Sequence, residues 1–316
     1  MKSRPGPFLL AAIALAACPQ STLAQTWSSF DYPGAINTQA NGISGSNIVG
    51  DYYTSFNPTI EHGYLYNGST FTSFDDPLAG TFNGQGTIAT GIASNGNIVG
   101  YYIAPSGVNH GFLKIGNSYQ TLDYPGVIND TFVHGISSTT GKIVGNYADT
   151  SNNHHGFVLS GSSYTPLNDP NASTASNQGT FAQGISNTTG DIVGYYIDPT
   201  NKIHGFLYNG TYTTLDYPGA TLTYAFGIDG SNIVGSYFDT DDRDHAFVYN
   251  NGSWTSLDYP GYFEGTDAFA IDGNKIVGNI TPEFQSGFLL TVPEPPGFAL
   301  AAVSGIAAMA SVRRRR

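Results

Sequence analysis

The stretch HGFLYNGTYTTLDYPG, residues 204–219, is written three times with small changes: residues 110–126 read HGFLKIGNSYQTLDYPG and residues 245–261 read HAFVYNNGSWTSLDYPG. Asn209-Gly210 stands between two runs of aromatic and β-branched residues, and Asn-Gly in that setting is a strong short-range hairpin signal. Tyr217-Pro218-Gly219 then reads as a tight turn, because proline fixes φ and glycine accepts a positive one. The string is two strands and a turn. Its recurrence makes the chain a repeat protein.

Upstream of each copy stands Ile-Val-Gly, which occurs six times, beginning at Ile48, Ile98, Ile143, Ile192, Ile233 and Ile276, with spacings of 50, 45, 49, 41 and 43 residues. A Gly-Ile-Ser-like segment precedes every one, as at residues 42–44 and 184–186, and a Gly-Phe-like segment follows, as at 111–112 and 205–206. Each repeat therefore supplies strand a (as in 181–186), strand b (191–197), strand c (204–208) and strand d (212–217). Strand b is an almost unbroken apolar and aromatic run, which suits a strand covered on both faces. Four strands in this period match a β-propeller blade. The fold class expected is all-β: a single six-bladed β-propeller of four-stranded blades over residues 25–291, in preference to an open β-solenoid.

The ends of the array argue for closure. The sixth copy has strands a, b and c (267–271, 275–280, 286–291) but no d, whereas residues 27–34, WSSFDYPG, form a strand d with no repeat before it. The N-terminal strand is expected to fill that vacancy and remove the open edges. Composition agrees, with 40 Gly, 17 Pro, 21 Tyr and 19 Phe against only 11% charged residues, a balance that favours turns and short strands.

Residues 1–24 carry Lys2 and Arg4, an apolar run and a small-residue site before Gln25, the pattern of a signal peptide cut by signal peptidase. Leu15-Ala16-Ala17-Cys18 also fits a lipidation site with Cys18 as the acylated residue, and both readings stay open. Residues 297–312 are uncharged and mostly apolar, and Arg313 to Arg316 follow, as in a transmembrane helix whose basic end stays cytoplasmic. Val292-Pro293-Glu294-Pro295, the apolar run and the arginine cluster, in that order over residues 292–316, resemble the PEP-CTERM sorting signal. The resemblance implies recognition and removal by an exosortase-type membrane enzyme. It also implies passage through the inner membrane to the cell surface or extracellular matrix of a Gram-negative bacterium.

The repeats over residues 27–291 resemble the HAF-repeat family, and His245-Ala246-Phe247 is its signature. Most copies carry Gly in place of Ala, and Ser286 replaces His in the last. The resemblance implies an extracellular propeller-like module and brings no catalytic residues with it.

The formal charge is −12, and removing both ends would take away Lys2, Arg4 and four terminal arginines against one acid, Glu294. So acidic a chain is a poor partner for nucleic acid or anionic lipid. Cys18 is the sole cysteine, so no intramolecular disulfide can form.

His62, His110, His155, His204 and His245 recur once per repeat. Spread around a ring they cannot meet at one ion or reacting atom, so each is expected to bond the turn aspartate nearby. Asp31, Asp123, Asp216 and Asp258 precede such turns. In the acidic loop after Phe238, Asp239, Asp241 and Asp244 are candidate calcium ligands, since calcium takes several oxygens from alternating positions. The loop lacks a central Gly and a distal Glu, position 250 being Asn, so a merely solvated loop is the other reading. No Gly-x-Ser-x-Gly, His-Glu-x-x-His or phosphate-binding loop occurs, and no catalytic residue is assigned.

The long, variable segments, such as 53–61 and 169–180, would emerge on one face with Tyr32, Tyr124, Tyr217 and Tyr259. These tyrosines are a candidate ligand-binding face for sugars, or else packing between blades. The function expected is a non-catalytic binding or structural protein of the cell surface or matrix, with polysaccharide as partner. One alternative is a secreted glycan hydrolase or lyase using the unrepeated Glu61, Asp130, Asp267 and Glu264 at a central depression. Another is an ice-binding surface, from the tail and the Thr- and Asn-rich loops.

Overall fold

In a computed structural model, residues 25–127, 129–261, 265–280 and 286–292 are described. Residues 1–24 with Cys18, Glu264, and the tail from Pro293, Glu294 and Pro295 onward lie outside them.

The chain opens with β1 (Thr26–Phe30) and continues through six successive units. The first is β2 (Asn37–Ser44), β3 (Asn47–Tyr53), β4 (Ile60–Tyr66) and β5 (Phe71–Phe74); the second is β6 (Gln85–Ile92), β7 (Ile98–Ile103), β8 (Asn109–Ile115) and β9 (Ser118–Leu122). The third is β10 (Thr131–Ile136), β11 (Ile143–Ala148), β12 (His154–Ser160) and β13 (Ser163–Leu167); the fourth is β14 (Gly179–Ile185), β15 (Ile192–Ile197), β16 (Ile203–Tyr208) and β17 (Tyr212–Leu215). The fifth is β18 (Leu222–Asp229), β19 (Asn232–Phe238), β20 (Asp244–Asn250) and β21 (Ser253–Leu257); the last has only β22 (Thr266–Asp272), β23 (Lys275–Ile280) and β24 (Ser286–Thr291). The described residues form no helix.

Within each unit the strands pair antiparallel in chain order, and β1 supplies the fourth strand of the last one. It runs antiparallel to β24, with Trp27 opposite Leu290 and Phe30 opposite Gly287. Short parallel bridges tie the first unit to the second at Ile60–Gln85 and the third to the fourth at His154–Gly179.

The Ile-Val-Gly strand explains how the units stack. All six of its valines are fully buried, and each packs into the following unit: Val49 against Ala89, Ile92 and Phe112, Val193 against Ala225 and Ile228. Val277 of the last unit packs on Ala40, Ile43 and Ile48 of the first. The glycine of the motif is set by its neighbours. A Cβ on Gly235 would lie 1.9 Å from the Tyr224 carbonyl oxygen and 2.9 Å from the ring of Phe247. The phenylalanine of the His-Gly-Phe or His-Ala-Phe segment thus lies over the glycine of Ile-Val-Gly, so the two motifs recur together.

A third recurring residue completes the frame. Thr38, Thr87, Thr131, Thr180, Thr223 and Thr266 are all buried near the start of a first strand. Each hydroxyl accepts the amide of the residue after the turn Asp or Asn, as with Tyr32 on Thr38 at 3.0 Å and Tyr217 on Thr223 at 3.0 Å. A buried amide left unpaired would cost about 1–3 kcal/mol.

Candidate ligand-binding site

Every first strand carries a register shift at the same place, between Ala40/Gly42, Ala89/Gly91, Val133/Gly135, Ala182/Gly184, Ala225/Gly227 and Ala268/Ala270. A β-bulge leaves one residue unpaired and re-aims its side chain. The residues so released are Asn41, Thr90, His134, Gln183, Phe226 and Phe269, and all six line one cavity of about 220 Å³. The glycines beside them are required by close approach: a Cβ on Gly42 would lie 2.9 Å from the Gly91 Cα, and one on Gly227 2.9 Å from the Ala270 Cα.

The six bulged residues divide in two. Phe226 and Phe269 form an aromatic arc, their ring centroids 4.9 Å apart. Asn41, Thr90, His134 and Gln183 form a polar arc. Asn41 Nδ2 donates to Asp51 Oδ1 at 2.8 Å and to the Ala89 carbonyl of the next unit at 3.0 Å. Thr90 Oγ1 donates to the Val133 carbonyl at 2.9 Å, again across a unit boundary. His134 Nε2 lies 2.9 Å from Asn146 Oδ1, and Asn146 Nδ2 lies 3.0 Å from His154 Nδ1. With the amide oriented so, His134 donates through Nε2 and keeps a lone pair on Nδ1. Burial pushes its pKa down to about 4, which keeps the ring neutral. No Asp, Glu, Lys or Arg occurs among the described residues that line the cavity. An uncharged cavity with an aromatic wall opposite amides, a hydroxyl and an imidazole suits a neutral ligand with one apolar face and one hydroxylated edge.

The residues singled out from the sequence lie elsewhere. Tyr32 stacks on Tyr52 at 3.6 Å, Tyr124 on Tyr147 at 3.7 Å and Tyr217 on Tyr237 at 3.7 Å, while Tyr259 packs edge-on to Trp27 at 5.2 Å. These half-buried rings pack against their neighbours, the second of the two readings made of them. The recurring histidines bond as expected: His62 to Asp75 at 3.0 Å, His110 to Asp123 at 2.9 Å, His204 to Asp216 at 2.9 Å and His245 to Asp258 at 2.8 Å. In the third unit Asn168 stands in for the aspartate, 3.2 Å from His155 Nδ1.

Asp239, Asp241 and Asp244 are not brought together. Asp239 Oδ1 accepts the amides of Asp241 at 2.8 Å and Arg243 at 2.9 Å, and the bond from Arg243 leads in holding its carboxyl below the ordinary range. Asp241 is exposed, 3.9 Å from Arg243 Nη1, and Asp244 turns away towards Asp267. Asp198 caps its own loop in the same way, accepting Thr200 and Lys202 amides at 2.8 and 2.9 Å. The alternating aspartates are a turn-capping pattern. Among the described residues, no group of three His, Cys, Asp or Glu is placed to hold a metal ion.

Among the described unrepeated acids, Glu61, Asp130 and Asp267 do not line the cavity. Glu61 and Asp51 are neighbours, and burial first, then repulsion from Glu61, raises Asp51 well above its usual range. Asp267 stands beside Asp244, whose pKa is pushed up to about 8 by burial and then by its neighbour's charge. Asp130 Oδ1 accepts the Asn109 amide at 2.8 Å. The threonine frame and the bulged ring were not singled out from sequence. The threonine had a signal, a Thr four residues before the Gly or Ala of every Gly-Ile-Ser-like segment.

Known structures share this architecture. SapL1 lectin in complex with α-methyl fucoside aligns with a TM-score of 0.55 at 13% identity, over 83% of this chain and 98% of that one. A triple arginine-to-alanine mutant of AofleA from Arthrobotrys oligospora aligns at 0.51 and 13% identity, over 85% and 94%. TolB from Acinetobacter baumannii aligns at 0.51 and 10% identity, over 78% and 65%. No family model and no curated protein matches the chain. At such identities the likeness shows the fold, an all-β, propeller-like arrangement of short antiparallel strands.

Proposed function

We propose that the chain is a non-catalytic carbohydrate-binding protein, built as one six-bladed propeller of four-stranded blades closed by its N-terminal strand. The contact of Val277 with the first unit and the pairing of β1 with β24 support the closed ring. The single observation that carries the ligand class is the axial ring of bulged residues, with two phenylalanines facing four uncharged polar side chains. The C–H face of a sugar ring sits well on an aromatic face, and its hydroxyls exchange hydrogen bonds with amides and imidazole. At about 220 Å³ the cavity falls below the ~300–1,000 Å³ of drug-sized sites, so it takes one terminal sugar rather than a chain. The non-catalytic reading rests on the uncharged lining, because the acid pairs Asp51–Glu61 and Asp244–Asp267 do not line it.

The order of motifs at the two ends supports export. The signal segment is cut by signal peptidase, residues 297–312 hold the protein briefly in the inner membrane, and an exosortase-type enzyme releases it to the cell surface or matrix.

A broad glycan array tests the ligand class, using residues 25–292 with and without a calcium chelator. Selective binding to a neutral terminal sugar is expected, insensitive to chelation. Phe226→Leu/Phe269→Leu should weaken it about tenfold or more, at ~0.5–1.5 kcal/mol for each aromatic contact. Silence of the wild type, or undiminished binding by the double variant, would overturn the assignment.

A further inference from the structure

Phe56, Leu78 and Phe82 expose 56, 58 and 69% of their surface, and all three stand on the two loops where the first and second units meet. The loops are fixed rather than loose. The Gly84 amide donates to the Thr59 carbonyl at 2.7 Å, the Thr59 amide to Asn83 Oδ1 at 2.7 Å, and the Gly80 amide to the Ile103 carbonyl at 2.8 Å. Leu78 and Phe82 are thus held largely in water on a pinned loop, and Phe56 stands beside them with its ring edge-on to Tyr53 at 5.8 Å.

The chain contains its own control. Residues 76–87, DPLAGTFNGQGT, align without a gap on residues 169–180, DPNASTASNQGT, where the third unit meets the fourth. The second loop repeats the bonds of the first. Asn171 donates to Asp169 Oδ1 at 2.8 Å as Leu78 does to Asp76 Oδ1 at 2.9 Å, and Ser173 donates to Ile197 as Gly80 does to Ile103, both at 2.8 Å. Gln178 donates to Ala175 at 3.1 Å as Gln85 does to Phe82 at 3.0 Å. Asn171 and Ala175 stand where Leu78 and Phe82 do, so the loop forms without either apolar side chain. Their exposure serves something other than folding.

We propose that Phe56, Leu78 and Phe82 form a second binding surface, which takes the apolar sugar faces of a neutral polysaccharide strand; this rests on the carbohydrate reading above. Residues 53–60 and 77–88 contain no Asp, Glu, Lys, Arg or His and offer Ser, Thr, Asn and Gln instead, in a chain of formal charge −12. The loop residues themselves are uncharged, which suits an uncharged partner, with Glu61, Asp75 and Asp76 at their ends. A second copy of the chain fits poorly, because three side chains fall far short of the ~800 Å² that each partner of a stable complex buries. A bilayer fits poorly too, since the segments lack the Lys and Arg that draw proteins to anionic headgroups. A pinned loop loses little conformational entropy on binding, which offsets the small contact area. The axial cavity would hold a chain end while this open surface lies along a chain.

The test is sedimentation of residues 25–292 with insoluble cellulose, chitin and β-1,3-glucan, comparing wild type, Leu78→Asn/Phe82→Ala and Phe226→Leu/Phe269→Leu. The first variant copies the sister loop, so its melting temperature should not move. The expected result is wild-type binding to at least one polymer that falls about tenfold in Leu78→Asn/Phe82→Ala. Equal binding by that variant overturns the surface and leaves the carbohydrate reading standing. Silence of the wild type on the polymers with a positive glycan array does the same, and silence on both overturns the two together. Wild-type binding to phosphatidylcholine vesicles that the variant loses would reassign the surface to lipid and also overturn the proposal.

Discussion

Gly235→Ala should unfold the protein or destabilise it by about 3 kcal/mol or more, a large effect for one methyl group. The added Cβ would lie 1.9 Å from a backbone carbonyl, Tyr224 O, and backbone cannot swing aside as the tip of a long side chain can. Relief requires β18 and β19 to separate or the buried ring of Phe247 to leave its place. The same contact recurs at Gly50, Gly100, Gly145, Gly194 and Gly278, where a Cβ would meet first-strand carbonyls at 1.8–2.1 Å. Urea unfolding of the variant beside the wild type measures it. A midpoint within error of the wild type would mean that the stacking of Phe247 over Gly235 is not as described.

Raising the pH from about 6.5 to 9 should weaken the fold, through the seam between the fifth and sixth units; below that window the buried, neutral His134 and the lowered pKa of His154 act in the opposite direction. Asp244 has its pKa pushed up to about 8, from an ordinary 3.8, by burial and then by Asp267. A carboxyl raised in the folded state binds its proton more tightly there than in the unfolded chain. Its contribution is therefore fully present below the unfolded value of 3.8 and is lost as pH climbs through about 8. The limiting slope is ~1.4 kcal/mol per pH unit; relaxation and partial exposure bring the loss to on the order of 1–2 kcal/mol over the window. Asp51 and Glu61, both also raised, act in the same direction. Asp244→Asn keeps a neutral side chain in the seam, as Asn109 does at the equivalent position of β8, and should flatten the profile. Denaturant midpoints at pH 5, 7 and 9 for both proteins decide it. A wild-type profile that is flat or rises between pH 7 and 9, or that Asp244→Asn leaves unchanged, would contradict the buried pair.

The strand order was readable because it is written six times. Ile-Val-Gly, Gly-Phe and Tyr-Pro-Gly each mark a fixed position, and the unmatched strand d at residues 27–34 pointed to the place that β1 occupies. The histidine partners were also predictable, since a residue repeated around a ring serves each unit separately. The axial site was not. Its six residues are of five types, only Phe226 and Phe269 agreeing, so no motif marks them, and only the Ala-x-Gly frame around Asn41, Thr90, Gln183 and Phe226 betrays a special position. A bulge is a matter of pairing between strands, which a single strand's sequence does not display. The long-loop face drew attention because variable loops often bind, yet the cavity runs along the second half of the first strands, towards their short turns. Likewise the Asp-x-Asp spacing of Asp239 and Asp241 mimics a calcium loop because both arrangements need oxygens at short intervals. The loop spends them on its own amides.

Closure by the N-terminal strand is the claim on which the axial ring depends, and a disulfide across the latch tests it most directly. Thr26 lies opposite Thr291 in the β1–β24 pairing, and opposite residues of an antiparallel pair fall within disulfide reach. Cys18 lies before residue 25, so Thr26→Cys/Thr291→Cys in residues 25–292 places only these two thiols in the protein. The predicted result is an intramolecular bond that forms on air oxidation in the monomer and stabilises the fold by up to ~5 kcal/mol, seen as a raised melting temperature that reductant reverses. Thiols that stay free in the folded monomer, or that link only between molecules, would contradict the closed ring.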